Sequence, residues 1–208
     1  MILGNPYSFS VFINTIKEWN IDNEFCNGIL LFCVDGDFFP KRIVTATLKC
    51  EIQPLKEKLM NLVVDEILYN MPKDRAFANL YSITFPEDTD IDNDYRFDIS
   101  PDSFTDDNCF IFAVSNGEKV RILAAELYYN IEESRHEVTN VDISEAYITI
   151  DELNEIIAKL DIYIDVKFCN ELFARLCRAM FHGWGGESHP AFNLHTFRPY
   201  DFSWFSEK

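Results

Sequence analysis

Alternating apolar and polar positions predict β-strands in the first part of the chain. YSFSVFINTI (residues 7–16) has an apolar side chain at every second position, which is the period of a half-buried strand. GILLFCVDGDFF (28–39) is an apolar run interrupted by Asp35-Gly36, a dipeptide typical of a two-residue hairpin turn. RIVTATL (42–48) is then predicted to be the returning strand.

The hydrophobic period changes after residue 50 and predicts a helix. From Glu51 to Tyr69 the apolar residues fall on one helical stripe that a charge interrupts once. Pro54 is compatible with the first turn of a helix, where the backbone N–H that proline lacks would have no intrahelical partner. Pro72 marks the end of this helix.

The longest local pattern is CFIFAVSNGEKVRILAAELYY (109–129). Asn116-Gly117 joins its two apolar runs and predicts a type I′ turn, in which both central residues have positive φ. Because both faces are apolar, we expect a central hairpin of an antiparallel sheet. VDISEAYITI (141–150) adds one more strand. The predicted fold class is therefore α+β, an antiparallel β-sheet with helices packed on one face.

Two helices are predicted near the end of the chain. In TIDELNEIIAKL (149–160), Thr149 and Glu152 are three residues apart, as in a capping box at a helix N-terminus. NELFARLCRAMF (170–181) has the pattern of a second helix.

The chain of 208 residues is expected to form a single domain. Its hydrophobic content of 48%, with 19 phenylalanines, is enough for a packed core. We expect residues 1–180 to form the α+β core. Residues 181–208 are rich in aromatic residues without a regular period, which fits either a C-terminal tail packed on the core or an interaction arm.

The charge of the chain restricts the possible partners. The sequence has 35 acidic and 18 basic residues, which gives a net charge of −17. A field of this sign repels nucleic acids and anionic membranes and attracts basic proteins. No secretory signal or membrane span is apparent. The six cysteines form no C-x-x-C pair, which favours free, mostly buried thiols in a cytoplasmic protein.

Much of this charge lies in residues 84–107, which hold nine acids and one base, Arg96. Most of the segment is interpreted as exposed loop, although YRFDIS (95–100) also fits a short strand. Three interpretations of the loop remain open: a solvated loop without a role, a calcium site, and a patch that faces a basic partner.

The calcium interpretation rests on acids at alternate positions. An EF-type loop starting at Asp88 has oxygen ligands at its first, third and fifth positions, but Asn93 replaces the required glycine and Ile99 the required glutamate. A calcium-binding structural or adhesion module using residues 88–94 stays as the alternative function.

Catalytic and cofactor motifs are absent from the sequence. It contains no P-loop, no Rossmann glycine pattern and no G-x-S-x-G. His182, His189 and His195 lack the spacing of metal ligands, so we predict no metal site and no cofactor. A small hydrolase with an unrecognised site is the remaining enzyme hypothesis.

Three segments resemble the immunity protein 42 family: GNPYSFSVFI (4–13), NCFIFAVSNGEKVRILAAEL (108–127) and ITIDELNEIIAKL (148–160). The resemblance covers residues 1–160. It implies a bacterial cytoplasmic protein, encoded beside a polymorphic or contact-dependent inhibition toxin. Such a protein neutralises the toxin's C-terminal domain in a one-to-one complex and has no catalytic residues.

The leading prediction is thus an immunity protein that blocks the active-site cleft of a basic nuclease, such as an RNase, with an acidic surface. Binding beside the cleft remains equally open. The candidate toxin-binding residues are the aspartates of the acidic segment: Asp88, Asp90, Asp92, Asp94, Asp98, Asp102, Asp106 and Asp107.

Overall fold

The computed structural model describes residues 1–20 and 26–164, which all belong to one compact unit, Met1–Asn170. The fold is α+β with antiparallel sheets, as predicted. The strands are β1 (Ile2–Gly4), β2 (Phe9–Thr15), β3 (Asn27–Val34), β4 (Asp37–Phe39), β5 (Ala46–Thr47), β6 (Cys109–Ser115), β7 (Lys119–Glu126), β8 (Tyr128–Asn130), β9 (Arg135–Glu137) and β10 (Ser144–Thr149). The α-helices are α1 (Leu48–Met60), α2 (Glu66–Asn70), α3 (Lys73–Thr84), α4 (Asp102–Thr105) and α5 (Ile150–Ile164).

A five-stranded antiparallel sheet has the order β1-β2-β3-β4, with β5 paired to the other end of β3. The alternation predicted for β2 is confirmed, since Phe9, Val11 and Ile13 are all buried. The hairpin turn at Asp35-Gly36 is also confirmed. Its two residues have φ values of 52° and 85°, the combination required by a type I′ turn.

The returning strand of this hairpin is shorter than predicted. Only Asp37–Phe39 pairs with the neighbouring part of β3, and the chain reaches β3 again at Ala46–Thr47. Pro40 follows β4 directly and has no N–H to continue the hydrogen-bond ladder. The prediction of a strand over 42–48 is therefore confirmed only for Ala46–Thr47, since residues 42–45 are not in a strand and Leu48 begins α1.

A second sheet has the order β10-β7-β6 and contains the predicted hairpin. Its turn differs from the prediction, because Gly117 has a φ of 93° whereas Asn116 is not in the positive-φ region. The central residues of the turn are Gly117 and Glu118, because the Asn116 N–H donates to the Lys119 carbonyl at 3.1 Å, and positive φ at the first central residue alone is the type II′ pattern. The Asn116 side-chain oxygen instead accepts the backbone N–H groups of Glu118 and Lys119, at 3.0 and 2.8 Å.

In the three-stranded sheet, β6 and most of β7 are buried on both faces, whereas β10 exposes Tyr147 on one face. One face, which includes Ile111 and Ile122, joins a first hydrophobic cluster with β2, β3, α1 and α5. The opposite face, which includes Phe112 and Leu123, joins a second cluster with α2 and α3. Burial on both sides explains why β6 and β7 read as continuous apolar runs.

The single helix predicted from Glu51 to Tyr69 is two helices in the structure. The backbone of residues 63–65 leaves the helical path to bond with the edge of β6, where Ser115 donates to Val63 and accepts from Asp65, both at 2.9 Å. Asp65 then caps α2 by accepting the N–H of Leu68. Pro54 lies inside α1 and not in its first turn.

Several further elements differ from the sequence prediction. The helices α3 and α4 and the two-stranded ribbon β8–β9 were not predicted, and Tyr95–Phe97 is a 3₁₀ helix rather than a strand. The capping box before α5 is confirmed, since Glu152 accepts the Thr149 N–H at 2.8 Å and Thr149 Oγ1 accepts the Glu152 N–H. The helix predicted at 170–181 and the tail at 181–208 lie outside the described residues.

Two other observations bear on the sequence predictions. In the part of the chain that the structure describes, no helix is both long and apolar enough to cross a membrane. Among the four described cysteines none forms a disulfide, and Cys26, Cys33 and Cys109 are buried while Cys50 is exposed.

Candidate functional site: the acidic segment and an adjacent groove

The acidic segment, residues 84–107, runs from the end of α3 to the residues before β6. Basic side chains from other parts of the fold contact this segment. The sequence had suggested Arg96 as the only base nearby. The reason is that these bases are distant in sequence and close in space. Four of the nine acids are ion-paired: Glu87 with Arg135, Asp94 with Arg96, Asp98 with Lys58, and Asp107 with Arg42.

Three of the candidate aspartates have structural partners. The side chains of Asp98 and Asp107 are only 6% and 7% exposed, and Asp98 also accepts the N–H of Ser100 at 2.9 Å. Asp94 accepts the Arg96 N–H and thereby caps the 3₁₀ helix. Hydrogen bonds from the Arg96 side chain lower the pKa of Asp94. These three acids hold the segment in place.

The other five candidate aspartates are exposed. In the described residues they have no ion pair: Asp88, Asp90, Asp92, Asp102 and Asp106. Glu51, on α1, fixes the end of the segment by accepting the backbone N–H groups of Asp102 and Ser103, at 2.9 and 3.1 Å. Burial raises the pKa of Glu51, although these hydrogen bonds oppose the shift.

A groove of ≈ 680 Å³ lies beside this segment, between the end of α3 and the β8–β9 ribbon. We call it the α3–ribbon groove. It is lined by four rings, those of Tyr81, Phe85, Tyr129 and His136, which we call its floor, and by three exposed carboxylates, those of Glu87, Glu133 and Glu137, which we call its rim. The groove therefore combines an aromatic floor with an acidic rim.

Hydrogen bonds and ring packing fix the floor. Tyr81 Oη lies 2.8 Å from His136 Nδ1, and His136 Nε2 lies 2.8 Å from Asn108 Oδ1. Since Oδ1 can only accept, Nε2 carries the proton and the Tyr81 hydroxyl donates to Nδ1. The His136 ring also packs edge-on against Phe110 and Tyr129, with centroids 5.0 Å apart in both cases.

The floor is uncharged at neutral pH. Burial lowers the pKa of His136, which favours its neutral ring. Burial also raises the pKa of Tyr81 to about 12, so its hydroxyl stays protonated. A cation that enters the groove meets neutral rings below and carboxylates around it.

One guanidinium of the protein already lies on the rim. Arg135 contacts Glu87 at 2.9 Å and Glu133 at 2.6 Å. These three side chains are between 52% and 79% exposed, so the pairs are solvated and weakly held. Arg135 thus links the ribbon to the start of the acidic segment.

Comparison with known proteins gives the family. The family model described as Immunity protein 42 matches residues 1–163. The chain belongs to the immunity protein 42 family. The resemblance seen in the sequence is therefore confirmed, and the role of the chain is that of an immunity protein, which neutralises a toxin. None of the curated proteins compared with it matches.

A solved structure supports the same fold. The immunity protein is similar to CdiI from Burkholderia dolosa AUO158, with a TM-score of 0.64 and 20% sequence identity. The match covers 78% of this chain and 99% of that one. At this level of identity the likeness concerns the fold.

The five-stranded sheet of this immunity protein offers a second exposed surface. Ile2 and Phe38, which are 55% and 52% exposed, border a shallow hollow of ≈ 220 Å³ on its outer face. Among the residues that the structure describes, no charged side chain lines this hollow. This second surface is therefore apolar, in contrast to the α3–ribbon groove.

The calcium alternative finds no support in the geometry. Within residues 1–20 and 26–164 no group of three or more His, Cys, Asp or Glu side chains is placed to hold a metal ion. Asp94, the fourth acid of the proposed loop, is turned to Arg96 instead.

Sequence reasoning missed the groove because the residues that form it come from α3, from residues 85–87 and from residues 129–139, most of which carry no prediction of a regular element. His136 was overlooked in favour of the three histidines of the tail. One signal was available, because Glu132, Glu133 and Ser134 form a polar turn between the short segments Tyr128–Asn130 and Arg135–Glu137, as is typical of a hairpin.

Proposed function

We propose that this immunity protein neutralises a basic nuclease toxin, such as an RNase, by docking its acidic segment on the toxin's substrate cleft. The partner is the C-terminal toxin domain, bound one-to-one in the cytoplasm. A cleft that holds phosphates is lined by Lys and Arg, and a negative surface that covers it keeps the nucleic acid out.

The observation that carries the proposal is the set of exposed aspartates without an ion pair in the described residues. Asp88, Asp90 and Asp92 lie together on one loop. Salt at physiological concentration screens charges only when they are more than ~8 Å apart, so it leaves much of the repulsion between such close neighbours. A cationic partner converts this repulsion into attraction. The net charge of −17 adds long-range steering in the same direction.

Apolar side chains of the segment and of the β8–β9 ribbon, which Arg135 links to Glu87, supply the contacts that charge alone does not. Ile91, Tyr95 and Ile131 are 57%, 53% and 81% exposed. Interface energy is concentrated in a few aromatic and apolar anchors, whereas charges at the rim mainly set the association rate and its salt dependence. The proposal therefore assigns capture to the aspartates and retention to these anchors.

Charge reversal tests the proposal. Asp90→Lys combined with Asp92→Lys changes two exposed side chains for which the structure shows no side-chain hydrogen bond or ion pair. We expect the association rate constant for the cognate toxin to fall about tenfold at low salt, and its salt dependence to flatten. Stopped-flow measurement from 20 to about 500 mM salt, spanning the screening range, checks this.

The matched control is Glu18→Lys with Asp151→Lys, two exposed acids outside the segment. It alters the net charge by the same amount, so it separates the local patch from the overall field. If both double variants slow association equally, or if neither does, the acidic segment has no specific part in docking.

A further inference from the structure

We propose that the α3–ribbon groove receives an arginine side chain of the toxin, with the guanidinium stacked on the aromatic floor and paired to the rim carboxylates. This inference rests on the proposed function in one respect, since it takes the toxin to be a basic protein. It goes further by naming a specific cavity and the chemical group that fills it.

The lining selects for a cation. Tyr81, Tyr129 and His136 present neutral ring surfaces in the floor, while Glu133 and Glu137 stand on the rim. Aromatic faces attract cations, and carboxylates attract them more strongly. An anion is disfavoured because the three rim carboxylates outnumber the single guanidinium of Arg135, and an uncharged apolar side chain gains nothing from these carboxylates.

The lining also favours arginine over lysine. A guanidinium is planar, stacks on rings and offers several N–H donors in a fixed fork, so it can contact the floor and two carboxylates at once. Lysine provides a compact and strongly hydrated charge. Arg135 shows the principle on this rim, because its guanidinium contacts both Glu87 and Glu133.

Room and exchange are both available. A groove of ≈ 680 Å³ exceeds the size of one side chain and falls within the range of ligand-binding clefts. The ion pairs of Arg135 are solvated, so an incoming guanidinium can share Glu87 or Glu133 at small cost. The groove is also contiguous with the acidic segment, because Pro86 and Glu87 belong to both.

A small-molecule probe tests the groove without the toxin. We expect L-argininamide, added to the full-length ¹⁵N-labelled protein, to shift the amide resonances of Tyr81, Tyr129 and His136 in a saturable way. The dissociation constant for a single side chain should be on the order of millimolar. Citrullinamide, which has the same shape without the charge, should produce no saturable shift.

Two groove variants and two controls locate the binding energy. Glu133→Gln with Glu137→Gln removes rim charge, and Tyr129→Leu removes a floor ring that is 41% exposed. Each should weaken argininamide binding and toxin affinity by about tenfold. Glu155→Gln, an exposed acid on α5 that does not line the groove, should change neither. Tyr129→Phe keeps the ring and should bind nearly as the parent does.

The outcomes separate the two proposals. If argininamide shifts are scattered, or match those of citrullinamide, or if the groove variants bind toxin as tightly as the parent, the groove inference is overturned. The proposed function then still stands if charge reversal at Asp90 and Asp92 slows capture. If the groove variants weaken toxin binding and that charge reversal has no effect, the groove inference stands and the acidic-segment proposal fails.

Discussion

At the scale of single residues, Arg121 on β7 is the most constrained charge in the described part of the protein. Its side chain is 2% exposed and pairs with Glu145 at 2.6 Å. It also donates to three backbone carbonyls that follow or end α2, those of Leu68, Tyr69 and Met71, at 2.6 to 3.0 Å. This buried guanidinium is stabilised because each of its three nitrogens has an acceptor within reach.

Replacing Arg121 should therefore destabilise the fold. We expect Arg121→Met to lower the free energy of unfolding by about 3 kcal/mol, because it leaves buried carbonyls and the Glu145 carboxylate without a donor. Arg121→Lys should recover only part of this, since one ammonium cannot reach all four acceptors. Urea unfolding measures both.

Lys119→Met provides the control for Arg121, because Lys119 is exposed on the same strand. A surface change of this kind is expected to stay within about 0.5 kcal/mol. If Arg121→Lys and the parent unfolded at the same urea concentration, the several hydrogen bonds of the guanidinium would be dispensable for stability.

At the scale of elements, the start of α5 depends on a reciprocal cap. The Thr149 backbone N–H, and next the Thr149 hydroxyl, lower the pKa of Glu152 from its ordinary value of 4.5. For an acid with a lowered pKa, the extra stability is fully present above the ordinary pKa and disappears as the pH falls through the lowered one. Glu152→Gln keeps the hydrogen-bond geometry and lacks the charge.

We therefore expect the parent to exceed Glu152→Gln in stability at pH 7, and the difference to vanish as the pH falls well below 4.5. Thr149→Ala should cost about 1 kcal/mol at neutral pH. Thermal unfolding of the parent, both single variants and the double variant gives the coupling between the two side chains. Additive losses at pH 7 would contradict a reciprocal cap.

Elements whose signal is local were predicted from the sequence. The Asp35-Gly36 and Asn116-Gly117 hairpins and the capping box of α5 each depend on a few adjacent residues. The break between α1 and α2 was not predictable in this way, because Val63 and Asp65 bond to Ser115, some fifty positions later. The helical pattern in the sequence continues through residues 63–65, but the backbone of these residues is hydrogen-bonded to β6 in the fold.

The same reasoning explains the site. The acidic segment was evident as composition, and its five exposed aspartates remain candidates for docking. Asp98 and Asp107 could not be separated from them in the sequence, because Lys58 and Arg42 approach only in the folded chain. The groove brings α3 and the ribbon together over about fifty residues, and no local period reports such a contact.

At the scale of the whole molecule, the two hydrophobic clusters share one sheet. In β6, Ile111 faces the first cluster and Phe112 the second. Because adjacent residues of a strand point to opposite faces, neither cluster can lose its packing without exposing a face of β6 and β7. The described residues should therefore unfold as one cooperative unit.

Phe77→Ala tests this cooperativity. Phe77 lies on α3, is fully buried and packs against Phe112 with ring centroids 5.3 Å apart, so its loss should cost about 3–5 kcal/mol. If the clusters are coupled, native-state hydrogen exchange should show equal losses of protection for the amides of β2, which belong to the first cluster, and of β7. Arg75→Ala, on the exposed side of the same helix, should change neither set. Faster exchange near α3 with β2 unaffected would mean that α2 and α3 open separately, and the acidic segment and its groove would then rest on a locally mobile support.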